Sequence, residues 1–197
     1  MPVNLFPVRT FDNLANLTSI TKDQIDVHLK LYAGYVNNTN TLREKIAALV
    51  KSGNAGTPEY GELVRRLGWE YNGMRLHELY FENLTANGGD HTTAPTLLKK
   101  IETEFDGWEN FKTHWNKVAA MRGVGWNILY QDPATKNLSV HWISSHEEGH
   151  PAGFKPILVM DIWEHAWSVY LKPTERAKYI EDFWANIAWK AAQDRLL

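Results

Sequence analysis

Cysteine is absent from this chain of 197 residues. That absence removes disulfides, thiolate metal sites, iron–sulfur clusters and cysteine nucleophiles, so any metal must sit on His, Asp or Glu. An excess of one charge sign is missing too: 21 Lys plus Arg face 23 Asp plus Glu, a formal net charge of −2. Nucleic-acid binders normally carry a clear basic excess, so no nucleic-acid partner is expected. The apolar runs fall far short of the roughly eighteen residues a membrane-spanning helix needs, and no membrane partner is expected either. The opening Met1-Pro2-Val3-Asn4-Leu5-Phe6-Pro7 has neither the basic stretch nor the apolar core of a secretory leader, which makes the cytoplasm the expected compartment. What the chain has in quantity is aromatic rings, 9 Trp, 8 Tyr and 7 Phe, beside 8 His. Such a density suits a dry, rigid site, and suits equally a heavily aromatic core.

Residues 1 to about 20 read as an extended arm. Thr21 is a candidate N-cap, with Gln24 completing a capping box. Ile25, Leu29, Tyr32 and Val36 then fall on one helical stripe that resumes through Leu42, Ile46 and Leu49. Gly53 to Pro58 is a loop by composition, and a second long helix is expected over about 59–84. Thr85-Ala86-Asn87-Gly88-Gly89-Asp90 reads as a linker, dividing a helical hairpin (1–86) from a second half (90–197). In that half, short helices are expected near 94–103 and 107–121. Residues 126–130, 138–143 and 156–160 have strand character, and one closing helix is expected from Thr174 to about Gln193. The fold class is therefore α+β: a long antiparallel helical hairpin, then an α/β half with a three-stranded antiparallel sheet.

The sharpest local feature is Asp161-Ile162-Trp163-Glu164-His165-Ala166-Trp167, directly after the third strand. A carboxylate and an imidazole four residues apart can converge on one metal ion. Spacing alone leaves a second reading open, with Asp161 capping a helix and His165 a buried, hydrogen-bonded histidine. His28 on the first long helix and His77 on the second could be brought together by a hairpin, although each alone is more often an ordinary core or surface histidine. His91, His114 and His150 stand in polar contexts and read as solvent-facing.

Taken together, these motifs resemble the iron/manganese superoxide dismutases. Asp161-x-Trp163-Glu164-His165-Ala166 is similar to that family's D-x-W-E-H-A signature. Asn72-Gly73-Met74-Arg75-Leu76-His77 resembles its second ligand helix, Gly123-Val124-Gly125-Trp126 its G-x-G-W strand, and Tyr179 to Trp189 its closing helix. The resemblance runs along nearly the whole chain in the same order. It implies one Fe or Mn per chain, held by His28, His77, Asp161 and His165 with water or hydroxide as fifth ligand. It also implies a metal alternating between two oxidation states to disproportionate superoxide. Tyr35 takes the place of the gateway tyrosine. Trp126 and Trp163, with Phe81 or Trp167, would wall the site. Glu164 would reach the His165 of a second copy across a two-fold axis in a homodimer or homotetramer. Arg176 and Lys30 are candidates for drawing in the anion. His146 is the expected hydrogen-bond partner of the bound solvent, because Gly73 occupies the other place from which that partner can come.

Departures from the family pattern are also visible. His28 lies seven residues before Tyr35 where eight are usual, which would put Val27 in the ligand place. Since Val cannot bind metal, a one-residue deletion that keeps His28 as ligand and smooths the helix is expected. Tyr32 replaces a usual second His, and Trp167-Ser168 replaces a pair of tyrosines. These changes leave room for a dismutase-like structural or binding subunit without activity. A metal-dependent hydrolase or oxygenase would instead want open coordination positions beside a base.

Overall fold

The computed structural model describes residues 3–197, so Met1 and Pro2 of the expected arm lie outside the described residues. From Val3 to Ile20 the arm is irregular apart from a 3-10 turn at Asp12–Leu14. It lies across the long helices and is fastened to both. Asn40 exchanges two hydrogen bonds with the Phe6 main chain. The Arg9 N–H donates to the Tyr32 hydroxyl, and the Asn13 amide donates to the carbonyls of Phe81 and Leu84.

Helix α1 runs without interruption over Lys22–Lys51. Thr21 caps it by accepting from the Gln24 N–H, but the expected capping box forms only in half. The Gln24 side chain turns inward, donating to the His165 carbonyl at 2.6 Å and accepting from the Val169 N–H at 3.1 Å. Gln24 is fully buried, and an amide satisfied on both atoms by a distant loop outweighs a solvent-facing cap bond. Helix α2, Pro58–Glu82, opens with Thr57 as cap and Pro58 in the first turn, where its missing N–H costs nothing. Contacts between the two helices pair Tyr32 with Glu78, Tyr35 with Gly73 and Asn38 with Glu70. One index rises as the other falls, so the hairpin is antiparallel.

After α2 come α3 (Pro95–Glu104) and α4 (Trp108–Ala119), then strands β1 (Gly125–Gln131), β2 (Leu138–Ser144) and β3 (Lys155–Asp161). The sheet order is β2-β1-β3, antiparallel throughout, as the sequence leads one to expect. β1 is central and buried along its whole length. Register slips once between β1 and β3, at Leu129/Tyr130, where β3 carries an extra residue, Ile157.

The chain closes with α5 (Arg176–Ala185) and α6 (Trp189–Gln193), not with the single helix expected over 174–193. Its interruption has a long-range cause. The Asn186 carbonyl accepts from the Thr85 N–H, the Ala188 N–H donates to Asn83, and Leu84 pairs with Ile187 as a β-bridge. Backbone groups used in this way cannot serve a helix. Asn186 also holds Thr18 of the arm at both its N–H and its carbonyl. Arm, hairpin end and tail therefore meet at one point. No helix among the described residues is long and apolar enough to cross a membrane.

Candidate metal centre

Four side chains from four places in the chain meet between the hairpin and the sheet. His28 comes from α1, His77 from α2, Asp161 from the last position of β3, and His165 from the 3-10 turn Glu164–Ala166. Asp161 splits its two oxygens. Oδ1 accepts the Trp163 N–H at 2.8 Å, which fixes the turn after β3. Oδ2 faces three imidazoles, with Nε2 of His28 and of His165 each at 3.1 Å and Nε2 of His77 at 3.6 Å. All four donor atoms lie within 4.8 Å of one another.

These separations fit a coordination shell. Metal–nitrogen bonds of about 2.1 Å, set about 90–120° apart, place neighbouring donor atoms about 3.0–3.6 Å from each other. The protonation pattern fits as well. Nδ1 of His77 donates to the Gly73 carbonyl at 2.6 Å, so Nε2 carries the lone pair. That Nε2 is buried with no hydrogen-bond partner. An orphaned lone pair aimed at a carboxylate is costly unless a cation lies between them. Three imidazoles and a carboxylate suit a divalent or trivalent first-row metal.

Val27 is 39% exposed whereas His28 is fully buried, so it is His28 that faces the other three residues. The Tyr32 hydroxyl donates to Glu78 at 3.0 Å and accepts from the Arg9 N–H. Tyr32 therefore ties α1 to α2 and to the arm. Aromatic rings enclose the cluster. Phe81 lies 5.0 Å and Tyr80 5.2 Å from His28, Trp126 lies 5.1 Å from His77, and Trp163 stacks on His165. Trp167 is not part of this wall: it stacks on Tyr179, whose hydroxyl donates to the Asp161 carbonyl. Trp69, which the sequence reading passed over, stands edge-on to His146 at 4.8 Å. Its signal was present, since Trp69, Gly73 and His77 recur every four residues along one face of α2. Arg176 is committed to the carbonyls of Met121 and Gly123 and lies over Trp167, while Lys30 is solvent-exposed.

His146 is fully buried, and both its ring nitrogens are engaged. Trp126 Nε1 donates to Nδ1 at 3.1 Å, and Nε2 lies 2.8 Å from the Tyr35 hydroxyl. Tyr35 in turn packs flat against Gly73, where a Cβ would come within 2.6 Å of its ring. Position 73 therefore has no room for a side chain while Tyr35 stays in place.

Burial pushes His28 down, partly offset by Asp161, and pushes His77 well down. It also takes His146 down to about 4. Burial works against ionisation of Asp161, but His165 and His28 outweigh it and hold the carboxyl below the usual range. Each of these folded-state values lies below its unfolded one. On acidification the unfolded chain takes up protons first, and stability present at neutral pH is lost. For His146 the window is pH 6.5 to about 4, worth about 3 kcal/mol. Chelator-stripped protein should therefore show a falling denaturant midpoint between pH 7 and 4. A flat profile over that range would contradict neutral buried histidines.

Residues 93–195 match the family described as iron/manganese superoxide dismutases, C-terminal domain. The chain is 34% identical over 182 residues to a protein of Saccharolobus solfataricus named superoxide dismutase [Fe], covering 90% of this chain and 85% of that one. It is 37% identical to a superoxide dismutase [Fe] of Aquifex pyrophilus, with 91% and 85% covered. To a superoxide dismutase [Mn] of Nocardia asteroides it is 30% identical, with 85% and 80% covered.

Proposed function

The chain belongs to the iron/manganese superoxide dismutases, and from that membership we propose how its own residues carry the disproportionation of superoxide to oxygen and hydrogen peroxide. The observation that carries the proposal is the convergence of three imidazole nitrogens on one carboxylate oxygen, one of them a buried lone pair without a partner. His28, His77, Asp161 and His165 would hold one iron or manganese ion per chain. When bound, the metal supplies the one-electron couple that takes an electron from one superoxide and returns it to the next.

The chain itself handles protons and water. A neutral His146 that accepts from Trp126 at Nδ1 must carry its single hydrogen on Nε2, and that hydrogen goes to the Tyr35 oxygen. With Nε2 engaged in this way, His146 is proposed to act on bound solvent through Tyr35, an indirect version of the donation expected from the sequence. The Tyr35 hydroxyl hydrogen is left to be donated onward, and reduction of superoxide to peroxide consumes two protons. Burial pushes Tyr35 up to about 12, so the hydroxyl is protonated at neutral pH. Trp69, Trp126, Trp163 and Phe81 limit the water around this relay.

Purified protein should contain about one iron or manganese ion per chain and dismutate superoxide. Full metal occupancy without activity would favour the reading as a structural subunit, and absence of metal would refute the site.

A homodimer, or a pair of such dimers, is part of the same proposal. Glu164 is exposed and His165 is part-exposed beside it, with exposed Val27, Leu31 and Val169 on the neighbouring surface. Under two-fold symmetry Glu164 would meet the partner subunit's His165. The wild-type chain should therefore have at least a dimer's mass in solution at micromolar concentration, and Glu164→Ala should shift it toward monomer. A wild-type monomer would refute this arrangement.

A further inference from the structure

Trp126 and Tyr130 stand four residues apart on β1, and so on the same face of the strand. Trp126 grips the ring of His146, as described above. Tyr130 is 2% exposed, and its hydroxyl lies 2.7 Å from Nδ1 of His150. The other ring nitrogen of His150 lies 2.9 Å from the main-chain oxygen of His146. A carbonyl can only accept, so Nε2 of His150 carries hydrogen and, in the neutral ring, Nδ1 accepts from the Tyr130 hydroxyl. His150 is thus half-buried and doubly bonded, not the solvent-facing residue its polar context suggests. One strand face holds His146 twice: its ring through Trp126, and its main chain through Tyr130 and His150.

The segment so held needs holding. His146 sits on the connection between β2 and β3, directly after Ser145, whose φ is +53°. A serine in the left-handed region persists only where its surroundings impose it. Within the turn itself, one further main-chain bond, from the Glu148 N–H to the Ser144 carbonyl at 3.2 Å, closes the loop. If the His146 carbonyl were released, the ring could move out of reach of the Tyr35 hydroxyl.

We propose that Tyr130 and His150 are positioning residues for the dismutation: they fix the main chain at His146 so that its imidazole meets Tyr35. The proposal rests on the dismutase reading, and its test separates the two. Metal-loaded His150→Ala, Tyr130→Phe, the double variant and His150→Gln are compared with wild type. The readouts are kcat, KM and amide hydrogen exchange of residues 144–150. His150→Ala should lower kcat about tenfold at full metal content and unchanged KM, with faster exchange in the segment. Tyr130→Phe should act in the same direction but less, and the double variant should match His150→Ala, because both residues act through one bond. His150→Gln keeps a donor and an acceptor and should retain most of the activity. Unchanged kcat, additive losses, or faster exchange with wild-type kcat would each overturn the proposal. Should His150→Ala not fold, Tyr130→Phe and His150→Gln decide by the same criteria. A wild-type protein that loads metal but does not dismutate fails the dismutase reading, and the grip on His146 is then judged by exchange alone.

Discussion

Replacing His28 by Ala should yield a protein with little or no bound iron or manganese and dismutase activity reduced roughly a thousandfold or more, because no protein side chain can supply the electron couple in the metal's place. Three donors would remain around a vacated, fully buried position, and an under-coordinated site binds weakly. The companion Val27→Ala should be nearly silent, since Val27 is 39% exposed and surface truncations typically shift stability by less than about 0.5 kcal/mol. Metal analysis and a superoxide assay on the two variants compare neighbouring residues on one helix. The reverse outcome, with Val27→Ala inactive and His28→Ala normal, would mean that α1 is rotated by about 100° from the register described.

Gly125→Ala should be the most destructive single methyl in the molecule. Gly125 has φ +138°, and a Cβ there would sit 2.0 Å from the Ile143 carbonyl oxygen on β2. That oxygen belongs to the backbone of a paired strand and cannot step aside. The Gly125 carbonyl also accepts the Ile162 N–H at 2.8 Å, so β1 is held from the other side as well. A wrong-handed backbone and a backbone clash together should cost about 3–5 kcal/mol, a large part of a small protein's stability. Soluble yield and thermal melting check this directly. Any folded remainder should also lose turnover, since the displaced β2 ends at Ser144, two residues before His146. A variant with wild-type melting temperature would refute the close approach.

Legibility in the sequence followed the range of the forces involved. Thr21 as cap, both long helices and all three strands are set by neighbours a few residues away, and each stands in the structure where local pattern put it. Gln24 was legible as a helix-start residue, but not as the anchor of the loop 141 residues away that carries His165. The break at Asn186 was invisible for the same reason, since its partners are Thr85 and Thr18. In the site, the four-residue group of His28, His77, Asp161 and His165 came from the resemblance; spacing alone left the Asp161–His165 pair evenly balanced. Of the residues missed, Trp69 had a signal in its spacing from Gly73 and His77, whereas Tyr80 and His150 take their roles only once α1, α2, β1 and the loop after β2 are side by side. Gly73 looked like a mere absence of side chain, and its purpose is the Tyr35 ring that fills the space.

The distribution of the four donors along the chain has a consequence for maturation. The first is residue 28 and the last residue 165, so during synthesis the donor set is incomplete until most of the polypeptide exists. His28, His77 and Asp161 are then sealed from solvent, and His165 alone keeps a partly open edge. An ion must arrive while the hairpin and the sheet are still closing, or pass that edge afterwards. Exchange of one captured ion for another would have to pass the same edge, or part elements tied through Asn186, Gln24 and Asn13. If passage through that edge is slow, the metal found in a purified sample would reflect which ions surrounded the chain as it folded, as well as which the site prefers.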